Sequence, residues 1–224
     1  MAFNFSPKII TDGLVVYLDA ANPKSYAGSE TVWNDLSGNG VYGTLTNGAT
    51  FNSENNGSIA FDGVDDFVSG SLGINLPGQI TVSAWINHDN ITAGIKRYVT
   101  IINQSIGAGI VIVRQSATAG ELQFLVRTDG TFKSLLVSNQ LDANIWYYIV
   151  GTWDGTNMIF YKNATEIATS TPGGTMLSGN NAYNVSAAAE TMNGKISSIA
   201  VYNRALIPQE VLQNFNATRS RYGI

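Results

Sequence analysis

Ile145-Trp-Tyr-Tyr-Ile-Val-Gly-Thr-Trp153, followed at once by Asp154-Gly155, decides the fold class. The stretch is rich in aromatic and β-branched residues, and 146–153 reads as a strand. A strand with one wet face alternates apolar and polar, but here both faces are apolar, so both are covered and the segment lies between layers. Downstream, 158–162 and 166–169 read as further strands, joined by turns at Asp154-Gly155 and Asn163-Ala164-Thr165. Gly accepts φ > 0 readily, whereas Ala164 tolerates it poorly.

The period-two pattern extends outward along the whole chain. Strands are expected at 13–19, 41–45, 58–61, 67–69, 80–86, 98–103, 109–115, 121–128, 131–138 and 194–202. Leu122, Phe124 and Val126 share one face of their strand, as do Val82, Ala84 and Ile86. Asp129-Gly130 between two strands predicts a two-residue hairpin with φ > 0. Residues 170–189, with Pro172-Gly173-Gly174 and Gly179-Asn180-Asn181, read as a loop crossing the sandwich. One helix is expected, opening at Pro208 with Glu210 complementing its dipole. Val211, Leu212 and Phe215 form its apolar face, packed on the sandwich edge. With no linker or repeat, residues 1–12 read as an N-terminal arm and 13–224 as one domain. The fold class is all-β: a two-sheet antiparallel jelly-roll sandwich with one short C-terminal helix.

Composition narrows the function. Of 224 residues, 44% are hydrophobic and only 12% charged, against about 25% in an average globular protein. Asn, Ser, Thr and Gly replace the missing charge, a composition of turns and half-buried strands. The net charge is −4 and no basic stripe is visible, which argues against nucleic acid as a partner. The absence of cysteine excludes disulfides and thiolate metal sites. Residues 1–6 lack a basic start and an apolar run, so no signal peptide is expected, and no stretch is long and apolar enough for a membrane helix. A chain acting outside cells would then leave by another route, such as lysis.

Three ordered groups of motifs carry a family resemblance: Gly13-Leu-Val-Val-Tyr-Leu-Asp19 with Trp33-Asn-Asp-Leu-Ser-Gly-Asn-Gly40; Ile59-Ala-Phe-Asp-Gly-Val-Asp-Asp-Phe-Val68 with Ile80-Thr-Val-Ser-Ala-Trp-Ile86; and Gly151-Thr-Trp-Asp-Gly155 with Gly194-Lys-Ile196 and Val201-Tyr-Asn-Arg-Ala-Leu206. Together they resemble the concanavalin A-like lectin/glucanase superfamily in its laminin-G-like (LamG) branch. The ending Leu212–Gly223 is similar to those of LamG proteins of tailed bacteriophages. That resemblance implies a non-enzymatic virion structural protein, a capsid decoration, cement or fibre component located on the virion. Its partners would be other virion proteins, in a homo-oligomer or lattice-imposed assembly. The alternative is a carbohydrate-binding adhesin for host-surface glycans, and a glycoside hydrolase comes third. Retaining glycosidases of the superfamily carry Glu-x-Asp-x-Glu or Glu-x-Asp-x-x-Glu, which brings two carboxylates to about 5–5.5 Å. None of Glu30, Glu54, Glu121, Glu166, Glu190 and Glu210 stands in such a pattern.

Candidate site residues follow. Trp33 and Tyr98, in or near expected loops with Tyr26 and Tyr183, are candidate ligand-binding platforms; packing is the other reading for Trp33. Phe3 and Phe5 of the arm, and Arg97, are candidate partner contacts. For Lys96-Arg97 the blander reading is a charge pair guarding a sheet edge. Asn203-Arg204 reads as a tie between loop carbonyls before the helix, with partner contact as the alternative. His88, in His88-Asp89-Asn90, reads as solvated, and a Ser–His–Asp hydrolase would have to use it. Asp62, Asp65 and Asp66 read as turn punctuation, with a metal or catalytic cluster as the alternative. The resemblance also implies a structural calcium near the sheet edge, fed by the end of the first strand, the Asp62-Gly63 turn and the late strand. In the family that late strand usually reads Ile-Asp-Asp or Ile-Asp-Glu; here it is Ile196-Ser197-Ser198, which leaves Asp62 and Gly63 as the implied ligands.

Overall fold

A computed structural model describes residues 7–177, 179–187 and 190–224. Among these residues, two antiparallel sheets of eight strands each are stacked face to face. The first contains β1 (Leu14–Asp19), β4 (Thr50–Asn52), β5 (Ser58–Asp62), β7 (Ile80–His88), β12 (Trp146–Trp153), β13 (Met158–Lys162), β14 (Thr165–Ser170) and β16 (Asn193–Tyr202). Their order is β14-β13-β12-β7-β16-β5-β4, and β1 pairs with the far half of β16. The second contains β2 (Val32–Asn34), β3 (Tyr42–Thr46), β6 (Phe67–Asn75), β8 (Lys96–Asn103), β9 (Ala108–Gln115), β10 (Leu122–Thr128), β11 (Thr131–Val137) and β15 (Asn180–Val185). Their order is β11-β10-β9-β8-β15-β6-β3-β2.

The doubly apolar strand is where its pattern requires. On β12, Tyr147, Ile149 and Trp153 enter the main core between the sheets, while Trp146, Tyr148 and Val150 point the other way into a second cluster. Helix α1 (Pro208–Thr218) lies on that outer face. The helix therefore covers a sheet face rather than an edge as expected from sequence, because the second apolar row of β7, β12 and β16 needs a lid. The ring of Trp85 stacks on Phe215 and Tyr222, and its Nε1 donates to Thr218 Oγ1 at 2.8 Å. Leu212, assigned to the apolar face from sequence, is instead exposed; the buried positions are Val211, Asn214 and Thr218. Asn214 earns burial through hydrogen bonds: it donates to Tyr202 Oη and accepts from Ile10 N–H. Ile9 and Ile10 thus pack on the domain itself. Phe3 and Phe5 lie outside the described residues.

The expected crossing loop is a correction. Within 170–189, β15 runs through the middle of the second sheet, between β8 and β6. Tyr183 and Val185 point inward and are fully buried, but the Asn and Ala around them have low strand propensity and hide the alternation. The Asp129-Gly130 hairpin has φ values of 49° and 79°, as expected, and Ala164 adopts φ 63° despite its Cβ.

The Asp35–Gly40 loop takes the place of a strand along the open edge of β1. Asp35 Oδ1 accepts from Tyr17 N–H, Ser37 Oγ donates to Val15 O, and Asn39 Nδ2 donates to Leu14 O and Val15 O. This Asp-x-Ser-x-Asn spacing satisfies edge backbone groups that would otherwise be unpaired.

Candidate functional site

Several expectations about the site are overturned by burial. Trp33 sits in β2 and Tyr98 in β8, and both are 0% exposed, so neither can present a face to a ligand. Tyr26 and Tyr183 are buried too. In a sandwich with two large apolar surfaces, rings near strand ends are drawn inward because they remove the most area from water. His88 is likewise buried at the end of β7, 3.0 Å from Tyr98 Oη through Nε2. Burial, helped by Lys96 and opposed by Asp89, holds its pKa down at about 4, so it is neutral and structural at pH 7. Arg97 lies on β8, an interior strand, not at an edge; it pairs with Glu190 in the connection between β15 and β16. Arg204 ties Asp12, at 2.9 Å, to Glu210, at 2.7 Å, before the helix.

The calcium position implied by resemblance does not assemble. On β16, Asp19 faces Ser198 whereas Asp62 faces Asn193, five residues away or about 16 Å along a strand. At the Asp19 end, Arg221 Nη1 reaches both carboxylate oxygens at 2.7 and 2.8 Å. Ser197 Oγ, in the position of the family carboxylate, donates to Gly57 O at 2.7 Å. A guanidinium and a hydroxyl thus fill the roles of cation and ligand there, and the donor set does not fit a metal.

The outward face of the second sheet has different chemistry. Register places Thr44, Ser69, Asn184 and Thr100 side by side on β3, β6, β15 and β8, continued by Ile112 and Leu125 on β9 and β10. Their strand neighbours Leu45, Val68, Val185 and Val99 belong to the core, so this row points away from it. Even so, Thr100 is 1% exposed and its Oγ1 has no hydrogen-bond partner among the described residues. One row along, Tyr42 stands 56% exposed beside Ser71. Gly40, Val41, Tyr42, Thr44, Ser69, Gly70 and Ser71 line an open cleft of about 320 Å³. A Cβ on Gly70 would come within 2.5 Å of the Tyr183 ring, so glycine lets that ring lie under the cleft floor. The lining offers hydroxyls, backbone groups and one aromatic ring, and no charge. At its far end the face carries a polar relay: Arg114 Nε donates to Gln123 Oε1, and Gln123 Nε2 donates to Ser134 Oγ. By contrast, the space between α1 and the first sheet is about 10 Å³, too little for more than a water.

Tyr42 and its neighbours are the residues that reading for loop aromatics misses. The signal was in the strand itself: inward Gly43 and Leu45 leave Tyr42 and Thr44 outward by alternation.

The chain is thus a two-sheet antiparallel jelly-roll sandwich with a helix on one outer face and an uncharged, hydroxyl-rich cleft on the other. The chain belongs to the concanavalin A-like lectin/glucanases superfamily, whose Laminin_G_3 model matches residues 61–212. No curated protein matches the chain. Among solved structures it is similar to the botulinum neurotoxin serotype D binding domain, with TM-score 0.72 and 14% identity, covering 92% of this chain and 51% of that one. It is also similar to the botulinum neurotoxin type G receptor binding domain, with TM-score 0.67 and 14% identity, covering 91% and 51%. A third is the binding domain of botulinum neurotoxin DC in complex with SialylT, with TM-score 0.71 and 13% identity, covering 93% and 52%. The chain spans about half the length of these neighbours, and the likeness is one of fold. No helix among the described residues is long and apolar enough to cross a membrane.

Proposed function

We propose that this chain is a non-enzymatic carbohydrate-binding module that holds neutral sugars on the outward face of its second sheet, around Tyr42. The observation that carries this reading is the joining of one exposed ring to the row Thr44-Ser69-Asn184, with no charged group lining the cleft. A pyranose offers an apolar C–H face to a ring and hydroxyls that both donate and accept. Side-chain hydroxyls and an amide match it in both senses. Hydrolysis would need two carboxylates about the scissile bond, and none lines the cleft. A glycan array probed with the intact chain tests the reading. Binding should fall at least tenfold in Tyr42→Ala and stay within a few-fold in Tyr42→Phe, with no release of reducing ends. No binding to any glycan, or binding indifferent to Tyr42→Ala, overturns it.

A second reading, the virion structural protein implied by the C-terminal resemblance, draws on Phe132 and Leu136. Both are exposed on β11, at the free edge of the second sheet, as a protein-contact surface would be. Electron microscopy of purified particles tests it: density for this chain on the capsid or fibre supports it, and absence from the particle removes it.

A further inference from the structure

We infer that the turn between β5 and β6 binds a hard divalent cation, calcium by preference, through Asp62, Asp65 and Asp66. One carboxylate oxygen from each lies within 4.8 Å of the others. Among the described residues no lysine or arginine pairs with any of the three, whereas the nearby Asp89 is matched by Lys195 at 2.8 Å. Three like charges at this spacing repel strongly, and a divalent ion cancels most of that repulsion.

The turn itself uses only part of the oxygen set. Asp62 Oδ1 accepts from Val64 N–H at 2.8 Å, and Asp66 Oδ2 accepts from Asp62 N–H at 3.0 Å. Asp66 is only 3% exposed, yet its Oδ1 has no hydrogen-bond partner among the described residues. A buried carboxylate oxygen left bare is costly, and turn formation gives no reason for it. That oxygen faces Gly48, where an added Cβ would stand 3.2 Å away. Gly48, Asp62 and Asp66 line the same open cleft of about 300 Å³, with Asn47 and Asn193 beside them. Glycine therefore leaves open the approach to a buried carboxylate oxygen that has no hydrogen-bond partner among the described residues.

The three acidic side chains offer oxygen and neither nitrogen nor sulfur, which suits calcium or magnesium rather than zinc. Calcium takes six to eight oxygens in irregular geometry, so carboxylates, carbonyls and water can complete it, whereas magnesium demands a near-ideal octahedron. The site is distinct from the Asp19–Ser197 position, where Arg221 already stands. It also ties the end of a strand in one sheet to the start of a strand in the other.

The inference does not rest on the carbohydrate reading and is tested without sugar. The intact chain, freed of metal with a chelator, is titrated with calcium chloride by calorimetry and followed by thermal unfolding. One calcium per chain and a rise in Tm are expected. Asp65→Asn, an exposed side chain with no side-chain hydrogen bond among the described residues, should weaken binding at least tenfold, while the metal-free Tm does not fall, because one of three mutually repelling charges is removed. Asp66→Asn should abolish binding. The inference is overturned if millimolar calcium, magnesium and manganese give neither heat nor a Tm shift. It is equally overturned if calcium affinity survives Asp65→Asn, which decides the matter even if Asp66→Asn does not fold.

Discussion

His88 makes the stability of this sandwich depend on pH in a calculable way. The imidazole is buried against Tyr98, and its pKa is lowered from the ordinary 6.5 to about 4, chiefly by burial. Between these values the unfolded chain binds a proton that the folded chain refuses, so stability rises with pH through this window and is lost as pH falls. At about 1.36 kcal/mol per pH unit, the full gap is worth about 3 kcal/mol, and about 2 kcal/mol of it is lost between pH 7.5 and pH 5. Urea unfolding of the native chain and of His88→Gln at these two pH values measures the effect. Gln keeps a group able to hydrogen-bond Tyr98 and removes the titration. The carboxylates titrate alike in both proteins and cancel in the comparison. The native chain should lose about 2 kcal/mol more than the variant on acidification. Equal losses would mean that His88 can take its proton in the folded state, and the buried, neutral assignment would be wrong.

Three further substitutions probe the frame. Arg221→Met should cost about 3 kcal/mol in urea unfolding, because it strands the Asp19 carboxylate, 2% exposed, without its cation; the guanidinium's own 25% exposure keeps the cost at the low end for breaking a buried pair. Gly151→Ala should destabilise by about 2 kcal/mol or more, since its Cβ would stand 2.6 Å from the Phe124 ring in the main core; a change under about 0.5 kcal/mol would show that β10 and β12 can part at no cost. Ala164→Gly should stabilise by about 0.5–1 kcal/mol, read as a higher urea midpoint at unchanged slope, by relieving a non-glycine residue at φ 63°.

The sandwich was legible because its signals are local and mutually consistent. Trp146–Trp153 and Met158–Lys162 have the limits that alternation and turn chemistry assign them. The two apolar faces of β12 announced two covering layers, although the sequence does not say that the second is the helix. β15 was invisible because its pairing is long-range: Asn and Ala acquire a central strand's conformation only from β6 and β8 on either side. The site was less legible for a related reason. Trp33 and Tyr98 have the composition of platforms, but exposure is decided by which neighbours fold over them. Tyr42 lies in a stretch recognised as strand, and only sheet register shows that the row beside it collects Thr44, Ser69 and Asn184. The acidic turn was readable as a cluster; what sequence could not show is that Asp66 is buried with one oxygen unmatched.

The most direct test of the carbohydrate reading is amide shift mapping by NMR, during titration of the intact chain with the best-bound neutral oligosaccharide from the array. Saturable shifts are expected to concentrate at Tyr42, Thr44, Ser69 and Ser71, with the helix-covered face around Trp85 and Tyr148 unmoved. Shifts centred elsewhere, or none at millimolar sugar, would contradict it.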